Sequence, residues 1–246
     1  MHQQRTPPMP RSELRPRSAL LRVCALCGLL APFTFLIGWV AGGMSQPDTY
    51  SLLDDQVSDL GALTADQAWI YNQIGANLTG LLVAALAFGL WRAGDDGPPS
   101  KVGVTALGVV GVGVFLDGWL RLDCRAIDIG CSAGGTSWGA AAHQVESIVT
   151  VVGMFVAIFA LARAFKRSER WQDLRIPTLI AGCVTVGGVL GGTMLTGFEL
   201  VGGGLAMRVG LTVWFAWVAL VSYRLQRIAM SLERGGAPTG GMPRDL

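Results

Sequence analysis

Charge is scarce in this 246-residue chain, and lysine is nearly missing. Only 15% of the residues are charged, against roughly 25% in soluble domains, and the mean hydropathy is +0.47. Lys101 and Lys166 are the only lysines. This composition excludes an ordinary soluble domain and favours an integral membrane protein. No nucleic-acid-binding motif accompanies the arginines, so we expect membrane lipids as partners and no nucleic acid.

Histidine is also scarce, and this limits metal chemistry. The two histidines are His2, in a proline-rich N-terminal segment, and His143. A zinc site needs about three nitrogen, oxygen or sulfur ligands held together, and one built on His143 with carboxylates would be atypical. We therefore expect no metal site and no cofactor.

Six apolar segments follow one another along the chain, and each is long enough to cross a bilayer, which takes about 20 helical residues. They cover 19–41, 69–91, 102–122, 140–165, 176–196 and 205–223. Residues 1–18 and 227–246 are rich in proline, glycine and charge, which predicts disordered ends around a transmembrane domain at 19–226. The expected fold is an all-α, polytopic six-helix transmembrane bundle.

Basic residues alternate between the connections of these segments. Sixteen of the nineteen Lys and Arg residues precede the first segment, follow the sixth, or lie in the second and fourth connections. The other connections hold only Arg121, Arg125 and Arg208. Basic residues near membrane segments mark the cytoplasmic side, so we expect both termini inside. The strong bias to Arg, Ala, Gly and Val is typical of a GC-rich bacterial genome, which favours a multi-pass protein of a bacterial plasma membrane.

Polar residues gather at the opposite, outer side. Asp117 and Arg121 are four apart and are expected to share a helix face and to pair, and His143 and Glu146 are three apart. Apolar residues at helical spacing in the first outer loop predict a short amphipathic surface helix. Ionisable groups inside membrane segments are costly and are functional candidates by default. The candidate ligand-binding residues are Ser58, Asp59, Asp117, Arg121, Asp123, His143, Glu146 and Arg208.

Two interpretations of these residues stay open. They can form ion pairs that close the outer end of the bundle, or they can line a cavity for a lipid or envelope head group, with Arg121 and Arg208 on phosphate and His143 as a hydrogen-bond partner. The alternative functions are an intramembrane enzyme acting on a lipid-linked substrate, and a small proton-coupled transporter. No serine lies in a recognisable nucleophile motif.

Cysteine and glycine add two expectations. Cys124 and Cys131 fall in one outer loop, where an oxidising exterior permits a disulfide. Gly187, Gly188, Gly191 and Gly192 form two overlapping G-x-x-x-G pairs, which favour close helix packing within the bundle or a homodimer.

Several short motifs resemble a known family. They are Tyr50-Ser51 followed by Ser58-Asp59-Leu60-Gly61, then Leu122-Asp123-Cys124 with Gly130-Cys131, and the single His143 that opens the next segment. In this order they are similar to domain of unknown function 998, a family of bacterial and archaeal membrane proteins, over about residues 19–224. The resemblance implies a multi-helix membrane fold and carries no reaction, ligand or cofactor with it.

Overall fold

Six α-helices form the described part of the protein, and the apolar composition of their sequences explains them. The computed structural model describes residues 11–94, 97–98, 100–132 and 134–235. The helices are α1 (Arg11–Met44), α2 (Thr79–Arg92), α3 (Lys101–Asp117), α4 (Trp138–Phe165), α5 (Arg175–Gly197) and α6 (Gly203–Gly235). A π-helix (Ile70–Leu78) leads directly into α2, and short 3₁₀ turns lie at Ser58–Gly61 and Gln172–Leu174. The described residues contain no β-strand.

Five segments are long and apolar enough to cross a membrane by length and composition. They are Pro16–Met44, Ile70–Arg92, Trp138–Phe165, Gln172–Gly197 and Gly203–Arg234. The remaining helix, α3, has 17 residues, which is the short limit for a spanning helix at about 1.5 Å per residue. The architecture is that of a multi-pass membrane protein.

The helices contact one another in a closed order, since each packs against the next along the chain and α6 packs against α1. The core lies inside this ring and is built from large apolar side chains. Its fully buried members include Leu86, Leu107, Leu161, Trp214 and Phe215. Two serines begin helices: Ser100 accepts a hydrogen bond from the Gly103 N–H, and Ser137 accepts one from the Ala140 N–H.

One end of the bundle, which we call the Asp117 end, carries the connections at 45–69, 118–137 and 198–202. The other, the arginine end, carries Arg92, Arg163, Arg175 and Arg224. Because α3 ends and α4 begins at the Asp117 end, the polar residues of both helices lie at one level. This placement agrees with the expectation for Asp117, His143 and Glu146.

The third segment is shorter than the sequence predicted. It was expected to continue to residue 122, but α3 ends at Asp117. A Cβ on Gly118 would overlap the carbonyl oxygen of Asn72 and the side chain of Asn77, so the chain turns against the π-helix there. The predicted helical pairing of Asp117 with Arg121 is therefore wrong, because Arg121 lies beyond the helix.

The first connection at the Asp117 end also differs from its prediction. Instead of an amphipathic helix on a membrane surface, residues 51–57 form turns, followed by the short 3₁₀ turn. Val57 and Leu60 are buried in a small core with Tyr50 and Tyr71. Val57 and Leu60 thus close the end of the bundle, whereas Leu52 and Leu53 are exposed.

The terminal helices extend into segments that were expected to be disordered. Helix α1 begins at Arg11 and α6 ends at Gly235, while residues 1–10 and 236–246 lie outside the described part of the chain. Arg22 pairs with Glu233 at 3.2 Å, and Leu232 packs against the core. These contacts hold the C-terminal extension of α6 against α1 and the core.

Candidate functional site

The centre of the Asp117 end holds five polar side chains from three elements. Tyr71 comes from the π-helix, Asp117 is the last residue of α3, and His143, Glu146 and Thr150 lie in the first half of α4. We call these residues the acid–histidine cluster. His143 is buried, with 6% of its surface exposed.

Asp117 and His143 form the centre of the cluster. His143 Nδ1 lies 3.3 Å from Asp117 Oδ1 and 2.8 Å from the carbonyl oxygen of Leu120. A carbonyl only accepts, so Nδ1 carries the ring proton in this arrangement and Nε2 is left as an acceptor. The Tyr71 hydroxyl donates to Asp117 Oδ2 at 3.0 Å. Both oxygens of Asp117 therefore have a partner.

Glu146 is the less satisfied acid of the cluster. Its Oε1 accepts a hydrogen bond from the Thr150 hydroxyl, four residues further along α4. Its Oε2 is buried and has no hydrogen-bond partner among the described residues. One nitrogen of His143 and one oxygen each of Asp117 and Glu146 all lie within 4.8 Å of one another. A buried acceptor without a partner costs free energy, so this arrangement favours a further group at Glu146.

Two glycines make room for the cluster. A Cβ on Gly113 would overlap Thr150 Oγ1 and lie 2.8 Å from Glu146 Oε1. A Cβ on Gly118 would overlap the Asn77 side chain, which belongs to the same π-helix as Tyr71. Close approach of α3 to both neighbours therefore depends on these positions, as expected where helices pack in a membrane.

A long apolar groove runs along the bundle beside the cluster. It lies between α2, α3 and α4, has a volume of about 1020 Å³, and faces the membrane side of these helices. We call it the lateral groove. Its lining is almost entirely apolar and extends from Trp91, near the arginine end, to Trp138, near the Asp117 end. Its acidic residue is Glu146, with Thr150 beside it, so the groove leads to the cluster.

Arg208 lies at the same end, and its side chain binds the loop at residues 50–55. It is 2% exposed, and its guanidinium donates to the carbonyl oxygens of Leu52 and Asp55 at 2.9 and 2.6 Å and to the Tyr50 hydroxyl. Its Cζ also lies 5.8 Å from the ring centres of Tyr50 and Trp39. Arg208 thus fastens residues 50–55 to α6, and it is sealed from a phosphate group.

Arg121 has a similar role. Its Nε and Nη2 donate to the carbonyl oxygens of Gly61 and Ala62 at 2.9 and 2.8 Å. The ion pair with a carboxylate that the first interpretation expected is replaced by backbone carbonyls at both arginines.

The remaining predicted residues hold the loops together. Asp59 is 2% exposed; one oxygen accepts from the Ala126 N–H at 3.1 Å, and the other is buried without a partner. Burial raises the pKa of Asp59 to about 6. Asp123 accepts from the Ser137 hydroxyl and from the Thr136 and Ser137 N–H groups, which lowers its pKa, and it thereby fixes the start of α4. Ser58 begins the 3₁₀ turn beside Asp59.

Comparison with known proteins identifies the family of the chain. Residues 29–224 match the family described as "Protein of unknown function (DUF998)". The chain belongs to this family. No curated protein and no solved structure is detectably similar to it. The resemblance seen in the sequence motifs is confirmed, and the family description assigns no function to this DUF998 chain.

The structure brings together some of the predicted residues of this DUF998 chain and separates others. Asp117, His143 and Glu146 meet in one cluster, as expected. Arg121, Asp59 and Asp123 make their hydrogen bonds to the loops and to the start of α4, and Arg208 holds the Tyr50 loop. Cys124 and Cys131 lie side by side, with Cα atoms 5.9 Å apart, which is a separation typical of a disulfide.

Sequence reasoning missed Tyr71 and Thr150. Thr150 lies four residues after Glu146 on the same helix face, so helical spacing identifies it as a partner. Tyr71 reaches Asp117 through the π-helix, which no sequence pattern indicated.

The two glycine pairs of α5 differ in their surroundings. Cβ atoms on Gly188 and Gly192 would collide with α6, whereas those on Gly187 and Gly191 would meet no described atom within 4 Å.

Proposed function

We propose that this protein binds a membrane amphiphile, with an alkyl chain in the lateral groove and a hydroxyl-bearing head group at the acid–histidine cluster. The observation that carries the proposal is the position of Glu146, which lines the apolar groove and has one carboxylate oxygen without a partner. Ligand sites typically combine an apolar lining with a few convergent polar groups.

The chemistry of the cluster selects the head group. Asp117 and Glu146 are acceptors, and Arg121 and Arg208 donate to loop carbonyls instead of facing the groove. A head group that donates hydrogen bonds, such as a sugar or glycerol hydroxyl, matches this arrangement better than the phosphate expected from the sequence. The His143 ring lies close enough to take part in the same contacts.

The experiment that tests the proposal measures which lipids accompany the purified protein. Wild type is extracted into nanodiscs without detergent and its lipids are quantified by mass spectrometry against the surrounding membrane. We expect strong enrichment of one hydroxyl-bearing lipid class. Ala141→Trp fills the groove beside Val145 and is expected to reduce that enrichment about tenfold.

Met194→Trp is the matched control. Met194 is exposed on α5, outside the groove, and lies a similar distance from the Asp117 end. Lipid enrichment by the Met194→Trp variant is expected to equal that of wild type. Equal lipid profiles for wild type, Ala141→Trp and the bulk membrane would contradict the proposal.

Intramembrane lipid hydrolysis is a second candidate, supported by the position of Ser147. Its hydroxyl lies 3.4 Å from His143 Nε2, on the side of the ring opposite Asp117, so His143 stands between a hydroxyl and a carboxylate. Loss of lipid product in Ser147→Ala, with lipid binding retained, would favour this function. The third expectation, a proton-coupled transporter, stays a prediction.

The proposed setting is a plasma membrane, with six spanning helices and both termini in the cytoplasm. It is supported by the excess of basic residues in the connections of the arginine end. The Asp117 end would then face an oxidising exterior, where Cys124 and Cys131 form a disulfide. A reporter fused after Arg234 is expected to be active in the cytoplasm; activity only outside would contradict this orientation.

A further inference from the structure

Three side chains of the acid–histidine cluster have the chemistry of metal ligands. The set consists of Asp117 from α3 with His143 and Glu146 from α4, and its three ligand atoms lie within 4.8 Å of one another. Imidazole suits zinc and other late transition metals, and carboxylates suit these as well as manganese. Sequence reasoning expected no such site, because a zinc site built from a single histidine with carboxylates is atypical.

The charges around the cluster also favour a bound cation. In the part of the chain that the structure describes, no Lys or Arg forms an ion pair with Asp117 or Glu146. Arg125 pairs with Asp128 at 2.8 Å, and Arg121 and Arg208 donate to backbone carbonyls. Two carboxyl groups and an imidazole without a basic partner can bind a divalent cation, which supplies positive charge as their protons are released. Buried charges are tolerated in proteins when they are paired or coordinate metals.

The buried oxygen of Glu146 is a second observation that points to a ligand. Glu146 Oε2 has no partner among the described residues, although it belongs to a group whose other members are hydrogen-bonded. A cation gives this oxygen the partner that it lacks. Hydrogen bonds to the three candidate ligands also fit a metal site. Tyr71 donates to Asp117, Thr150 donates to Glu146, and the Ser147 hydroxyl lies at His143 Nε2. Ligating groups in metal sites are typically oriented by such hydrogen bonds.

We propose that Asp117, His143 and Glu146 bind a single divalent transition-metal ion, for which Zn²⁺ is the first probe. His143 contributes Nδ1, the nitrogen nearest Asp117. On metal binding Nδ1 gives up its hydrogen bond to the Leu120 carbonyl, and the ring proton moves to Nε2, where it is donated to Ser147. The inference deepens the proposed function at the same site, since a head-group hydroxyl is both a donor to carboxylate and a ligand for the metal.

The test measures metal binding by the full chain without reference to lipid. Wild type in nanodiscs is stripped with a chelator, dialysed against Zn²⁺ at equilibrium, and analysed for metal per chain. We expect one Zn²⁺ per chain in wild type, and at least a tenfold loss of affinity in His143→Ala and in Glu146→Gln. A rise of several degrees in the unfolding temperature with Zn²⁺ is expected in wild type and absent in both variants.

Two controls separate this site from other ligands in the chain. His2→Ala removes the only other histidine, and Cys24→Ser with Cys27→Ser removes the C-x-x-C pair of α1. Both are expected to keep the wild-type stoichiometry and affinity. Metal binding that survives His143→Ala, or that disappears with the cysteine pair, would overturn the proposal.

A spectroscopic measurement on wild type does not depend on the folding of any variant. Co²⁺ replaces Zn²⁺, and its absorption distinguishes nitrogen and oxygen ligands from thiolates. We expect d–d bands without a thiolate charge-transfer band; no spectral change, or a thiolate band, would refute the proposed ligand set. In Ala141→Trp, loss of lipid with retained Zn²⁺ would count against neither proposal. Lipid enrichment without Zn²⁺ binding in wild type would reject the proposed metal site and leave the proposed amphiphile binding standing.

Discussion

At the residue scale, the arginines of the Asp117 end illustrate how far a residue type predicts a role. Arg121 and Arg208 were identified as unusual because they are basic residues in an otherwise acidic or apolar setting. Their donors, however, are directed to backbone carbonyls of the loops at 50–55 and 61–62. Sequence spacing gives no information about such contacts, because the carbonyls lie 59 and 60 residues from Arg121 and 153 and 156 residues from Arg208 in the chain.

Arg208→Lys tests the structural role directly. An ammonium group cannot reproduce the planar set of donors to Leu52, Asp55 and Tyr50, so we expect a loss of about 2–4 kcal/mol in the free energy of unfolding. Denaturant unfolding in detergent micelles measures it. Arg227→Lys, at an exposed position of α6, is the control and is expected to change stability by less than about 0.5 kcal/mol. Lost lipid enrichment at unchanged stability in Arg208→Lys would contradict this role.

Asp59 makes the stability of the folded protein depend on pH. Burial raises its pKa from 3.8 to about 6, so the folded state binds a proton more tightly than the unfolded state. Stability contributed by the protonated form is therefore complete below about pH 4 and is lost as the pH rises to about 6. This raised pKa corresponds to roughly 3 kcal/mol of stability that is absent above pH 6.

The variant Asp59→Asn removes this titration. We expect it to gain about 2–3 kcal/mol over wild type above pH 6 and to differ little from it below pH 4, measured as the free energy of unfolding across this range. Asp48→Asn, at an exposed loop position, is expected to follow wild type at every pH. A constant difference between Asp59→Asn and wild type from pH 4 to pH 7 would show that Asp59 does not titrate in this range.

At the element scale, apolar composition located the helices of the described residues, but it missed the start of α1, the end of α3 and the end of α6. The predicted fourth and fifth segments, 140–165 and 176–196, differ from α4 and α5 by at most two residues at each end. The end of α3 and the π-helix before α2 were not predicted from composition, and the two meet where Gly118 packs against Asn72 and Asn77. That contact is long-range, and it also brings Tyr71 to Asp117.

Helix α3 supplies a prediction about packing. A methyl group at residue 113 would overlap Thr150 and press against Glu146, so Gly113→Ala is expected to lower the free energy of unfolding by about 1–3 kcal/mol. Gly108→Ala, on the same helix, would meet only Ala87 at 3.7 Å, and is expected to be neutral or to stabilise by up to about 1 kcal/mol. Denaturant unfolding of both variants makes the comparison; equal stabilities would show that α3 tolerates displacement from α4.

At the scale of the whole molecule, the ring of six helices combines a sealed end with an open side. The loops at the Asp117 end are held by arginines, by Asp59 and by Asp123, so access to the acid–histidine cluster runs laterally through the groove between α2, α3 and α4. Sequence reasoning located the cluster by residue type and helix polarity, but could not find the groove, which depends on how far the short, glycine-rich α3 approaches its neighbours.

The most direct test of the central claim is photocrosslinking from inside the groove in living cells. A benzophenone amino acid replaces Val112, which lines the groove, or Leu190, which is exposed on α5 at a similar distance from the Asp117 end. After irradiation, intact-protein mass spectrometry identifies the lipid adducts. We expect one hydroxyl-bearing lipid class to dominate at Val112 and the bulk membrane composition to appear at Leu190. Identical adduct profiles at the two positions would contradict a specific amphiphile site.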